Sequence, residues 1–128
     1  IKKLEPEMIG IGPFIPHGDT PLQGLRRGTS ERTLRAVAIC RLVLDRAHMP
    51  ATTALGTIDT SGRQKALKCG ANVLMPNVTP LKYKKLYSIY PGKICITEKA
   101  EECRGCMGRM LGSLNRTIAT GYGHALNP

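Results

Sequence analysis

At 128 residues the chain is long enough for one domain with a sizeable core. Its 19 Lys and Arg against 9 Asp and Glu give a formal charge of +10, a balance that raises a polyanion as partner. The bases, however, are spread through helical stretches (Arg32, Arg35, Arg41, Arg46; Lys65, Lys68; Lys82, Lys84, Lys85), and one Phe with no Trp leaves no platform for stacking bases, so solvated helix faces are expected and no nucleic-acid partner. No apolar run reaches the ~18 residues of a membrane span. Five cysteines, an odd number, in a chain that otherwise reads as intracellular favour thiols or metal over disulfides, and a cytoplasmic setting is expected.

The chain opens on Ile1 only a few residues before the first strand pattern, so it is expected to be a piece of a longer protein. Leu4 to Phe14 is mostly apolar from Met8 to Ile11, as in a strand buried on both faces. Gly10 and Gly12 leave room beside it for a ligand or another backbone. The loop Ile15 to Gly28 is long for a strand-to-helix connection, and such loops are commonly functional. In it His17 and Asp19 read as a surface pair in preference to a proton relay or metal ligands.

Thr29 and Ser30 offer an N-cap for a helix to about Ala47, in which Cys40 is a small core residue. The stretch Met49 to Thr57 reads as a buried central strand ending in a glycine turn, with Thr52 and Thr53 where it ends. A parallel strand delivers polar groups to a pocket at its carboxyl end, so a ligand is expected there. A short helix from Asp59 or Ser61 through Lys68 follows, with Cys69 at its end and Gly70 as its cap. Ala71 to Met75 is a third strand, stopped by Pro76. Thr79 and Pro80 then start a helix over Leu81 to about Ile89, closed by Tyr90-Pro91-Gly92. Strand and helix alternate throughout, which predicts an α/β fold with right-handed parallel crossovers.

The last feature is Cys95-x7-Cys103-x2-Cys106. Two thiolates separated by two residues can hold one metal from a turn or a helix start, and soft thiolates select zinc or iron–sulfur clusters. A redox dithiol and unliganded thiols remain alternatives. His124 is a distant fourth ligand for zinc. The tail after Leu114 carries no motif.

Gly10-Ile-Gly-Pro-Phe-Ile-Pro-His17, Asp19-Thr-Pro21, Met49-Pro-Ala-Thr-Thr-Ala54, Gly70-Ala-Asn-Val-Leu-Met-Pro-Asn77 with Thr79-Pro80, and Leu86-Tyr-Ser-Ile-Tyr-Pro-Gly-Lys-Ile-Cys95 occur in this order. Together, over roughly residues 5 to 110, they resemble the C-terminal part of the FeFe-hydrogenase maturases of the HydE type. Those are radical S-adenosylmethionine (SAM) enzymes related to biotin synthase and methylornithine synthase. The resemblance implies the last three βα units of a (βα)8 TIM-type barrel over residues 1–92 and a C-terminal extension with a cysteine cluster over 93–128.

It also implies S-adenosylmethionine and a 4Fe-4S cluster as cofactors. The C-x3-C-x2-C motif that binds that cluster does not occur among these residues, so the chain alone is expected to lack radical chemistry. By resemblance, Thr52 and Thr53 hold a substrate in the barrel, Met8, Met75 and Tyr90 line its cavity, and Cys95, Cys103 and Cys106 match an auxiliary 2Fe-2S or 4Fe-4S site found in some members only. The implied partners are a small-molecule or organometallic substrate and other hydrogenase maturation proteins. Two alternatives are a biotin synthase-like or methylornithine synthase-like radical enzyme, and a non-enzymatic thiolate metal-binding module.

Overall fold

The computed structural model describes residues 1–125. A 3-10 turn at Lys2–Leu4 leads into the first extended segment, and five α-helices follow: α1 Ser30–Val43, α2 Thr53–Ile58, α3 Gly62–Cys69, α4 Leu81–Lys84 and α5 Ala100–Gly112, with a 3-10 turn Lys85–Tyr87 continuing α4.

The three expected strands are reduced, among the described residues, to two isolated parallel bridges, Met8 with His48 and Pro50 with Val73. The order of segments is thus first, second, third, all parallel. His48 N–H donates to Glu7 O at 2.8 Å and Ile9 N–H to His48 O at 2.9 Å; the next donor in register would be the nitrogen of Pro50, which carries no hydrogen. That stops the first ladder after one bridge. The second holds through Val73 N–H to Met49 O at 3.2 Å and Ala51 N–H to Val73 O at 2.9 Å. The third segment then meets Pro76.

The central run does not stay extended to Thr57 as expected. Thr52 Oγ1 accepts from Leu55 N–H at 3.3 Å, and this cap turns the chain into α2 one residue after the threonine. α1 begins where expected, with Thr29 as its cap, but ends at Val43, not near Ala47. There Arg41 reaches forward to the carbonyls of Leu44 at 3.1 Å and Asp45 at 2.7 Å, closing off the helix end. Its Nε also donates to Gly70 O at 2.8 Å, so the side chain that broke the apolar pattern of α1 ties that helix to the end of α3.

Gly70 caps α3 as expected. Its φ of 127° is open to glycine, and a Cβ there would lie 2.6 Å from Cβ of Arg41. The expected helix to Ile89 holds α geometry only to Lys84. Lys84 is fully buried, its Nζ spent on the carbonyl of Glu98, and the residues after it, Lys85–Tyr87, continue as an exposed 3-10 turn. Pro80, not Thr79, stands at the start of α4, and the Thr79 N–H is taken by Asn77 Oδ1 at 3.2 Å.

The core lies between α1, α2, α3 and the second segment: Val37, Ala51, Leu55, Ala66, Leu67 and Ala71 are buried together, with Met110 of α5 inserted among them. A smaller cluster of Leu44, Ala47 and Met49 closes the amino-terminal end, with Cys40 packed against it as the apolar reading required. Beyond α5 the tail folds back. His48 Nε2 and Gly123 O are 2.9 Å apart, and Thr117 to Ala119 cover an apolar cavity of about 320 Å³ lined by Leu67, Leu74, Met107 and Leu111. No helix of the described residues is long and apolar enough to cross a membrane.

Candidate functional site

The parallel register decides which sequence positions share a level. Met8 pairs with His48 and Pro50 with Val73, so two residues further on Gly12, Thr52 and Met75 fall in one row at the carboxyl ends of the three segments. The row is in contact at one point already: a Cβ at Gly12 would sit 3.1 Å from Thr52 Oγ1. The space that Gly12 leaves is therefore taken by the Thr52 hydroxyl, which needs this glycine beside it.

Thr52 and Thr53 differ sharply despite their adjacency. Thr52 Oγ1 is engaged as the cap of α2. The Thr53 hydroxyl has no hydrogen-bond partner among the described residues and is partly exposed, while its carbonyl accepts from Thr57 Oγ1 at 3.0 Å. Met75, level with Thr52, is half exposed. Met8, also half exposed, sits at the level of His48, four residues and about 13 Å of strand earlier, so it belongs to the opposite end of the segments. Tyr90 stands at the far end of α2, where burial raises its phenol's pKa and a hydrogen bond with Thr57 opposes that shift. The structure thus brings Thr52, Thr53 and Met75 to one rim and sets Met8 and Tyr90 apart from it.

Two residues that sequence reasoning passed over hold this neighbourhood together. Thr57 donates to Thr53 O and accepts from Ile94 N–H at 3.3 Å, so one hydroxyl joins α2 to the loop that carries Cys95. Asp59 collects Lys65 Nζ at 2.8 Å, Ser30 Oγ at 2.9 Å and both the N–H and Oγ of Ser61 at 3.0 and 2.9 Å. Lys65, then Ser30 and Ser61, hold its carboxyl well below the usual carboxylate range. A polar residue just before a helix was legible as a cap; its reach back to α1 was not.

His17 and Asp19 form a loop turn: the Asp19 N–H donates to His17 Nδ1 at 3.1 Å and the carboxylate is almost fully exposed. That is the surface pair expected.

No protein-family model matches the chain. Over 123 residues, 96% of its length, the chain is 48% identical to the FeFe-hydrogenase maturase subunit HydE of Thermotoga maritima. The chain is a relative of the FeFe-hydrogenase maturases. The resemblance read from the motifs is borne out. The aligned part is 35% of that maturase, so the chain spans about a third of the length of the relative. The 3-methylornithine synthases of Methanosarcina acetivorans and Methanosarcina barkeri follow at 31% over 74 residues and 30% over 76. Those matches cover 58% and 59% of this chain and 21% of each synthase.

The cysteines that the resemblance to the maturases singles out lie in the extension. Cys95 is on the loop before α5, Cys103 and Cys106 one turn apart on α5 itself, a helix not expected over the whole cluster. Its start is explained locally: the Glu102 carboxylate accepts from the Lys99 N–H at 2.8 Å, and Glu101 and Glu102 oppose the positive end of the helix. Cys103 is buried, Cys106 exposed and Cys95 in between. Burial pushes the Cys95 thiol up, Arg63 opposes that, and Cys103, Glu98 and Cys106 add to it. In kind the donors suit a thiophilic centre. In position they do not fit one, because among the described residues no three His, Cys, Asp or Glu side chains are grouped to hold a metal ion. His124, exposed beside Tyr122, adds no ligand to such a group.

Proposed function

We propose that this chain is the C-terminal segment of a radical S-adenosylmethionine enzyme that acts in maturation of the FeFe-hydrogenase active site. The observation that carries the reading is the 48% identity over nearly the whole chain to a hydrogenase maturase. The three parallel segments, each followed by helix, support residues 1–92 as the last three βα units of a (βα)8 barrel, with 93–128 as an extension.

S-adenosylmethionine and its 4Fe-4S cluster, held by residues outside this chain, supply the radical chemistry. This segment's part is to bind and orient a small or organometallic substrate at the carboxyl ends of the segments. Thr53, whose hydroxyl is unspent, is suited to donate to an anionic or sulfur-bearing group on the substrate. Thr52 fixes the turn that aims it, and Met75 supplies an apolar wall at the same level. Met8, at the other end of the segments, and Tyr90, at the far end of α2, stand apart from this rim, and for them the resemblance alone supports a place in the cavity of the whole barrel. The extension's cysteines are proposed as ligands of an auxiliary iron–sulfur centre, and other hydrogenase maturation proteins as partners.

The test is complementation of a maturation-deficient host with the full-length protein. Thr53→Ala is expected to lower hydrogenase activity about tenfold, the loss of one substrate hydrogen bond, and unchanged activity in both Thr52→Ala and Thr53→Ala would count against the assignment. The shared 74 residues favour a second reading, a 3-methylornithine synthase-like enzyme. Failure to restore hydrogenase together with formation of 3-methylornithine selects it.

A further inference from the structure

The tail after α5, in which the sequence carries no motif, forms a strap over the apolar cavity of about 320 Å³. At one end the Arg116 N–H donates to Leu111 O at 3.0 Å, and at the other Gly123 O meets His48 Nε2 at 2.9 Å. Between these points Thr117 to Gly121 make no hydrogen bond to another described residue. The strap is thus fastened at its ends and free in its middle, where Ile118 is more than half exposed.

Three elements build the wall beneath it: Leu67 comes from α3, Leu74 from the third segment, and Met107 and Leu111 from α5. Arg104 adds a fifth side chain. Positions 104, 107 and 111 fall on one face of the helix and span about 10 Å along it. Arg104 is exposed and still lines the cavity, so it stands where the cavity meets solvent. It is the only charged residue on the described wall, and its side chain forms no ion pair or hydrogen bond with another described residue. The Asn72 amide, also on the wall, is already spent: Oδ1 accepts from the Met49 N–H at 2.8 Å, and Nδ2 lies 3.2 Å from His48 Nδ1.

We propose that this cavity binds a small amphipathic carboxylate, its hydrocarbon part among Leu67, Leu74, Met107 and Leu111 beneath the strap and its carboxylate on Arg104. Apolar cavities stay dry and take up apolar molecules, and this one lies at the lower end of the ~300–1,000 Å³ of small-molecule sites. Arg104 decides the class of ligand. An uncharged hydrocarbon leaves the guanidinium unused, whereas a carboxylate accepts two parallel N–H bonds from it. A wholly polar anion gains nothing from the leucines. The site is separate from the rim of Thr52, Thr53 and Met75, because Leu74 and Met75 point to opposite sides of their extended segment. The inference therefore stands whether or not the chain serves a radical enzyme.

The probe is octanoate, titrated into the full-length protein labelled at its methionine methyl groups, with the Met107 resonance assigned by its loss in Met107→Leu. Octanoate is expected to shift that resonance, and 1-octanol to bind roughly tenfold more weakly, the worth of one hydrogen bond to a charged group. Arg104→Gln, a change at an exposed position, should weaken octanoate by the same factor and remove the difference between the two probes.

No shift at Met107 with octanoate overturns the site, since other parts of the full-length chain then fill the cavity. Octanol bound as tightly as octanoate, or Arg104→Gln binding octanoate as well as the native protein does, overturns the assignment of a carboxylate to Arg104 and with it the proposal.

Discussion

Thr52 and Thr53 illustrate how much a single residue's chemistry depends on one bond. Adjacent and identical in type, they differ because Thr52 caps α2 and Thr53 does not. Thr52→Ala is expected to cost about 1 kcal/mol of stability through the lost cap, and Thr53→Ala less than about 0.5 kcal/mol. Denaturant unfolding of the two variants in the full-length protein checks this, and equal losses would mean that both hydroxyls are structural. Asp59 carries a second residue-scale prediction. Its folded pKa is depressed, first by Lys65 and then by Ser30 and Ser61. Its contribution is therefore complete above the unfolded value of about 3.9 and is lost as pH falls below it towards the lower folded value. Unfolding midpoints measured from pH 6 down to 2 should fall less steeply in Asp59→Asn than in the native protein, whose slope below pH 4 includes this carboxylate.

Among the elements, α1 and α3 are joined by Arg41 and Gly70 acting as one unit. Gly70→Ala forces a Cβ into a left-handed backbone and against Arg41, and is expected to cost about 1–3 kcal/mol. Thermal unfolding would show this, and a variant as stable as the native protein would mean that the helix end shifts freely. The glycine cap itself was legible in the sequence, because a glycine after a helical pattern has one common use. That Arg41 completes it was not, because a charged residue in an apolar stripe says nothing about which carbonyls it meets 29 positions away. The helix α5 was likewise only half legible: Cys95, Cys103 and Cys106 drew attention as ligands, while Cys103, Met107 and Met110 also form an apolar stripe.

For the whole molecule, the first extended segment leaves one edge unpaired. The Glu7 carbonyl and Ile9 N–H bond the second segment, so the groups of Met8 face the other way, and α1 separately leaves Ile39, Leu42 and Val43 exposed. An open edge together with exposed apolar side chains invites association. The isolated 128-residue chain is expected to self-associate at micromolar concentration, and sedimentation analysis will check it. A cooperatively unfolding monomer would argue instead for a self-sufficient domain and against placing these residues within a barrel.

The order of elements, their alternation, the helix start at Thr29, and the kinship with the hydrogenase maturases were determined by the sequence, because capping, turn chemistry and motif order are local and survive without knowledge of neighbours; the start at Thr52, read as strand, was not. Which residues share a level was decided only by the tertiary structure. The lone hydrogen that Pro50 lacks shortens a ladder, the register through His48 and Val73 brings Gly12, Thr52 and Met75 into one row, and Met8 is left at the other end. The seat of Cys103 in the core is likewise a property of how α5 docks, since burial is set by the surfaces that meet across the fold and not by spacing along the chain.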